Sequence, residues 1–291
     1  MYLYYFIYIL YVIIFVLKLL IYPNDEKALA YLTLYHAILR QRQQMIPMRI
    51  DVMRDGIELR LNVEAFTTPR AYARPFSNLN SHELLENNIG LINPGAITSG
   101  EIHDIMRNFA DTDGLIVDLR QYPNVPFLYE LSGYLLDEVY PHAIFTTPVD
   151  SMPGVFGFTR TGISGPGAMW PYLPEESTFF YEKEVVLLMD TITASQPETT
   201  IMSLRNGPNV TVLGKNSMGA NGNVVSLPLP GGFGLAFSGI GVYYPDGSQT
   251  QRIGLSPDIY VERTIVGVKE GIDEILETAI RFLLERRSYY R

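Results

Sequence analysis

No cysteine occurs in the 291 residues, which excludes disulfides, thiolate metal sites and a cysteine nucleophile. Histidine is scarce as well. His36, His82, His103 and His142 are dispersed, and no HExxH-type spacing joins any two of them, so a zinc centre finds no ligand set. Positive charge is in deficit: 22 Lys and Arg stand against 31 Asp and Glu, a formal net charge of −9. That balance repels a phosphate backbone, and no basic cluster interleaved with aromatics offers a nucleic-acid groove. No cofactor is implied, and nucleic acid is not an expected partner. Hydrophobic residues are plentiful, at 47%, which is ample for a real core.

The first 22 residues differ from the rest. Met1 to Leu17 carries no charge, and Lys18 is followed by the apolar Leu19 to Tyr22. A membrane-spanning helix needs about 20 apolar residues, and tyrosines favour the interfaces. Residues 1–22 are therefore expected to be a transmembrane anchor. A cleaved signal peptide, although no basic n-region or small-residue cleavage site is present, and a buried or mis-started segment are the competing readings. The first two readings put the remainder outside the cytoplasm, on a periplasmic or cell-surface face.

From Asn24 to Arg42 the apolar residues recur at roughly helical spacing. Met48 to Val52 and Ile57 to Val63 alternate apolar and polar around Asp55-Gly56, a strong hairpin signal. Residues 64–88 are polar and rich in Pro and Asn, and a linker with a domain boundary is expected at 64–85. Strands and helices alternate beyond it. Ile89 to Ile92, Gly114 to Leu119, Val185 to Met189 and Val210 to Leu213 read as buried strands. Helices are expected from Ser99 to about Ala110, from Phe127 to Glu138, and from Glu198 to Arg205. Residues 141–181 show few periodic signals. Val224 to Leu229 and Gly234 to Tyr243 read as antiparallel strands, and Gly271 to Glu285 as a closing amphipathic helix. The class is α/β with a mixed sheet and flanking helices.

One segment carries chemistry. Met189-Asp190-Thr191-Ile192-Thr193-Ala194-Ser195-Gln196-Pro197-Glu198 leaves a buried strand and enters a helix. In open α/β sheets ligands bind beyond the carboxyl ends of the strands, and a helix N-terminus presents N–H groups that could hold a tetrahedral oxyanion. Ser195 is thus placed to meet a substrate. Ser195-x-x-Glu198 is equally a capping box at an ordinary helix start.

An ordered series of motifs bears on that choice. It runs Ile89-Gly90-Leu91-Ile92-Asn93, Gly114-Leu115-Ile116-Val117-Asp118-Leu119-Arg120, Thr193-Ala194-Ser195-Gln196-Pro197-Glu198 and Val212-Leu213-Gly214. Leu227-Pro228-Leu229-Pro230-Gly231-Gly232, Tyr243-Tyr244-Pro245-Asp246-Gly247 and Gly254-Leu255-Ser256-Pro257-Asp258-Ile259 follow. Over residues 89–280 this series resembles the tail-specific (C-terminal processing) serine peptidases, tricorn-like relatives included. The resemblance implies a ClpP/crotonase-like core over 86–285, and a shortened PDZ-like module at 24–63. It also implies hydrolysis of unstructured polypeptides through an acyl-enzyme on Ser195. A catalytically impaired relative that binds peptides or glycans at the cell surface is the alternative it leaves open.

The family's nucleophile falls on Ser195, but its general-base lysine falls on Ala220, within Gly219-Ala220-Asn221-Gly222. A serine hydroxyl needs a base, so another group must take the proton. Lys215, His103 and His82 are the candidates, a histidine requiring Asp258 or Glu262 as its acidic partner. The family's glycine pair after Asp-Leu-Arg is replaced by Asn124-Val125. Oxyanion and substrate contacts are accordingly expected from the Gln196 N–H, Gly95 and Asn124; Pro197 has no N–H to give. Asp118 with Arg120 is expected to be a structural ion pair, and Tyr244-Pro245-Asp246-Gly247 a β-turn. Trp170, in a loop with Phe156, Phe158, Tyr172, Phe179 and Phe180, either lines a hydrophobic cleft or covers the core.

Overall fold

Asp-Gly turns favour positive φ, and residues 48–63 fold accordingly. Strands β1 (Met48–Arg54) and β2 (Ile57–Val63) pair antiparallel with Arg54 opposite Ile57, and Gly56 adopts φ 77°. The computed structural model describes residues 48–54, 56–63, 80–152, 154–166, 179–229 and 233–287. The hairpin is what it describes of the chain's smaller unit, residues 25–78. The anchor expected at 1–22, the helical pattern at 24–42 and the loop around Trp170 lie outside the described residues. Among those described, no helix is long and apolar enough to cross a membrane.

The larger unit is built on a six-stranded sheet. Strands β3 (His82–Leu85), β4 (Ile89–Ile92), β5 (Gly114–Asp118), β8 (Val185–Met189), β9 (Val210–Gly214) and β13 (Ile259–Tyr260) lie in the order β13-β9-β8-β5-β4-β3. All neighbours are parallel except β3, which runs antiparallel to β4. The sheet is therefore mixed, as expected. Every residue of β4, β5 and β8 is buried. Such unbroken apolar runs belong to parallel strands covered on both faces.

Period-2 alternation divides those strands between two layers. Val117, Leu187 and Val212 face one core with residues of α1 (Ile102–Asn108), α2 (Leu128–Leu135) and α3 (Gln196–Leu204). Ile116, Val186, Leu188 and Leu213 face the other, against Ile275, Ala279 and Leu283 of α5 (Glu274–Arg287). Ile92, Asp118, Met189 and Gly214 all end at one edge of the sheet.

Three expectations are corrected. The segment read as linker up to residue 88 contains β3, whose Leu84 is exposed and whose polar residues hid the strand. The stretch 141–181 includes two nine-residue strands, β6 (Tyr140–Pro148) and β7 (Phe156–Ser164). With β12 (Val242–Tyr243) they form an antiparallel sheet in the order β12-β6-β7. Register shifts at Pro141/Ala143 and Phe145/Thr146 interrupt the alternation by which sequence patterns reveal strands. Finally, the closing helix starts at Glu274 because Gly271, at φ 73°, terminates a separate helix, α4 (Ile265–Glu270). The antiparallel pair β10 (Val224–Leu229) and β11 (Phe233–Ser238) forms a sheet of its own.

Candidate active site

The turn between β8 and α3 is fastened at every step. Thr193 N–H donates to Asp190 O at 3.0 Å, and Asp190 N–H to Thr193 Oγ1 at 2.9 Å. Thr193 Oγ1 in turn donates to Leu119 O, at 3.3 Å, tying this turn to the end of the neighbouring β5. The chain then enters α3 through Ser195 at φ 62° and ψ −119°. A non-glycine residue at positive φ costs on the order of 1–3 kcal/mol and persists only where its surroundings impose it. Here that conformation puts a half-buried serine at the carboxyl edge of the sheet, beside a helix N-terminus. Gln196 follows as the first helical residue, where N–H groups lack intrahelical partners.

Glu198 does more than cap the helix. Its Oε2 accepts the Ser195 N–H at 3.1 Å, while Oε1 accepts Ser217 Oγ at 2.5 Å and Gly219 N–H at 2.8 Å. The Ala220 N–H donates to the same carboxylate. Glu198 is 1% exposed. Burial pushes its carboxyl above the ordinary range, and these hydrogen bonds offset only part of the effect. Asp190 is also pushed up by burial, against the pull of the Ile192 N–H and the charges of Arg120 and Arg263.

The proposed bases fall in different places. Lys215 follows β9 on the same sheet edge, its N–H 3.2 Å from Met189 O, and its Nζ pairs with Glu262 Oε1 at 2.9 Å. His103 lies on α1, with Nδ1 2.7 Å from the Tyr134 hydroxyl of α2. His82 is on β3, three inter-strand spacings or about 14 Å from β8. Its Nδ1 lies 3.0 Å from Ser81 Oγ and 3.8 Å from Glu101 Oε1. The acids named as histidine partners are otherwise engaged. Asp258 holds Val212 N–H and Arg205, and Glu262 holds Lys215.

Gly95 and Asn124 are brought together by the loops after β4 and β5. Asn124 N–H donates to Pro94 O at 3.0 Å and its Nδ2 to Ile97 O at 3.1 Å. A Cβ on Gly95 would lie 2.6 Å from Gln121 Oε1, so a larger residue there would have to push that amide aside. The backbone N–H of Asn124 is thus spent within the loop. Arg120, one residue before Gln121, is buried between Asp118, which it grips through two bonds of 2.8 Å, and Asp273, also at 2.8 Å. The expected ion pair is present and extends to Asp273, the residue before α5. Gly247 N–H donates to Tyr244 O at 2.9 Å, closing the expected turn. Among the described residues no group of acidic or histidine side chains could hold a metal ion.

Residues 155–261 match the model of Peptidase family S41. Over those residues the chain is similar to that family. Its match begins with β7 and contains Ser195, Glu198, Lys215 and Ala220. The carboxy-terminal-processing protease of Bartonella bacilliformis is 30% identical over 95 residues, which is 33% of this chain and 22% of the relative. The chain therefore spans about a fifth of the curated relative it matches, 22% of its length. Among solved structures, a peptidase candidate of Parabacteroides merdae aligns with a TM-score of 0.59 at 21% identity, over 74% of this chain and 68% of that one. Mature CPAF aligns with a TM-score of 0.51 at 14% identity, over 68% and 52%. At these identities the likeness is one of fold, and it agrees with the mixed sheet and flanking helices seen here.

Two features of the site had no separate signal in the sequence. Ser217 and Gly219 are reached by Glu198 across the loop that follows β9. Arg252, at φ 69°, backs that loop by donating its N–H to Gly219 O at 2.7 Å.

Proposed function

We propose that the chain is a serine-type peptidase that cleaves unstructured polypeptides through an acyl-enzyme on Ser195. The observation that carries this reading is the strained Ser195, held at φ 62° where β8 gives way to α3. Ser195 Oγ attacks the peptide carbonyl carbon while its proton passes to Lys215, the base candidate that shares the sheet edge. The Gln196 N–H faces the developing oxyanion. Collapse breaks the C–N bond, the proton goes to the leaving amine, and water then hydrolyses the ester. Gly95 and Asn124 shape the substrate side of the same rim. His103, held by Tyr134, is the second candidate for the proton. Residues 1–22 tether the domain to a membrane with the catalytic part outside the cytoplasm.

A second reading has one observation in its favour: Ala220 occupies the position at which the resembling peptidases carry their base. In that reading the chain binds peptides or glycans at the cell surface without cleaving them.

A fluorophosphonate probe with mass mapping tests the choice. Labelling at Ser195, absent in Ser195→Ala, together with cleavage of a disordered protein substrate, is the expected result. A folded protein that neither labels nor cleaves would leave the binding reading standing.

A further inference from the structure

Glu198 is sealed from solvent, yet a lone carboxylate at that depth is not needed to start a helix. An exposed acid at the third helical position closes a capping box equally well. Burial raises the cost of its charge, and the surrounding donors do not fully compensate.

What it does hold is two separate pieces of chain. One oxygen accepts the Ser195 N–H, the other Ser217 Oγ and the Gly219 N–H, with the Ala220 N–H on the same carboxylate. Both pieces are strained or crowded. Ser195 is at positive φ, and Gly219, at φ 68°, lies so near the next loop that a Cβ would meet Gly254 N at 2.7 Å. Ser217 is itself fixed, its Oγ accepting Leu255 N–H at 2.7 Å while its own N–H donates to Leu255 O at 3.0 Å. Met218 N–H closes the circuit on Thr193 O, two residues before the serine, at 2.9 Å.

We infer that Glu198 is a positioning residue for the Ser195 reaction, clamping the serine turn and the 217–220 loop in one register through opposite oxygens of its carboxylate. The inference rests on the serine-peptidase reading. Glu198→Gln preserves volume but turns an acceptor into a donor that faces N–H or O–H groups. The Ser195 turn then shifts against the loop. A displacement near 1 Å in a reacting group costs about a hundredfold in rate.

The test compares wild type, Glu198→Gln and Ser217→Ala at a temperature well below all three melting points, with folding checked by circular dichroism. The readouts are the rate of fluorophosphonate labelling of Ser195 and the kcat and KM for a disordered protein substrate. In Glu198→Gln, labelling and kcat are expected to fall about a hundredfold, with KM within about threefold of wild type. Ser217→Ala, which removes one donor and leaves the carboxylate, is expected to label about tenfold more slowly. A folded Glu198→Gln that labels at the wild-type rate overturns the inference. If that variant does not fold, wild-type labelling of Ser217→Ala overturns it instead. A purely structural role would lower the melting temperatures and leave the rates of folded protein unmoved. Wild type that does not label at all removes the peptidase reading itself, an outcome distinct from labelled wild type with unaffected variants.

Discussion

Lys215 and Glu262 close an ion pair at the carboxyl edge of the sheet, with Nζ 2.9 Å from Oε1 and the lysine side chain mostly covered. The pair bears directly on how Ser195 could lose its proton. An amine must be neutral and free of its carboxylate partner to accept one. Release of the pair is then part of any cycle in which Lys215 is the base.

Glu262→Gln is accordingly expected to raise the hydrolysis rate at pH 7 by about tenfold, and Lys215→Met to lower it by about a hundredfold. Steady-state kinetics on a disordered substrate check both. Unchanged turnover in Lys215→Met removes this lysine from the reaction and moves attention to His103.

Ala220 and Ser195 share the Glu198 carboxylate through their N–H groups. Two hydrogen bonds and the width of a carboxylate keep those nitrogens within about 8 Å of each other. A lysine at position 220 could span that gap with its four-carbon stem. Ala220→Lys is therefore expected to raise kcat by about tenfold or more, whereas Ala220→Met, of similar bulk, is not. Equal rates in the two variants would show that the 217–220 loop does not present position 220 to Ser195.

The sheet was largely legible because its central strands are unbroken apolar runs bounded by turns, as at Val185–Met189. Strands that are half exposed and carry bulges, such as Tyr140–Pro148, gave no clean alternation. Polar β3 has the composition of a linker: His82 and Glu83 mask an edge strand. At the site, Ser195 and Lys215 could be placed on one edge from the parallel βαβ logic alone. The second function of Glu198 could not, because a capping-box pattern specifies only contacts within three residues, while Ser217 and Gly219 arrive from a different strand's loop. The ion pair of Lys215 likewise depends on Glu262, 47 residues away in the chain.

Arg120 tests how the rim is supported. Its side chain is 2% exposed and binds Asp118 and Asp273 together. Arg120→Met strands two acids without their cation and is expected to cost about 3–5 kcal/mol in urea unfolding. The pH dependence has a definite sign. Burial alone would raise the Asp273 carboxyl, but the bond and charge of Arg120 more than offset it and hold the group below its ordinary range. A depressed folded value means stabilisation that is present above the ordinary carboxylate range and lost as pH falls through the folded one. Asp273→Asn should therefore lose stability at pH 7 and show a flatter acid limb. An unaltered acid limb in that variant would place the acid sensitivity elsewhere.

Glu198 has the opposite sign. Burial outweighs its hydrogen bonds and leaves the carboxyl above its ordinary range. The folded state thus favours the protonated form more than the unfolded chain does. The contribution is fully present below the unfolded value and is lost as pH rises through the folded one. Thermal melts at pH 4 and pH 7.5 should show wild type losing ground to Glu198→Gln as pH rises, since the amide cannot ionise. Ser195 labelling should run the other way, improving in wild type over the same interval as the carboxylate forms and accepts the Ser195 and Gly219 N–H groups together. A carboxylate retained for stability alone would shift the melting point and leave the labelling rate of the folded protein unmoved across that interval, so a pH-dependent labelling rate present in wild type and absent in Glu198→Gln is what separates placement of Ser195 from support of the fold.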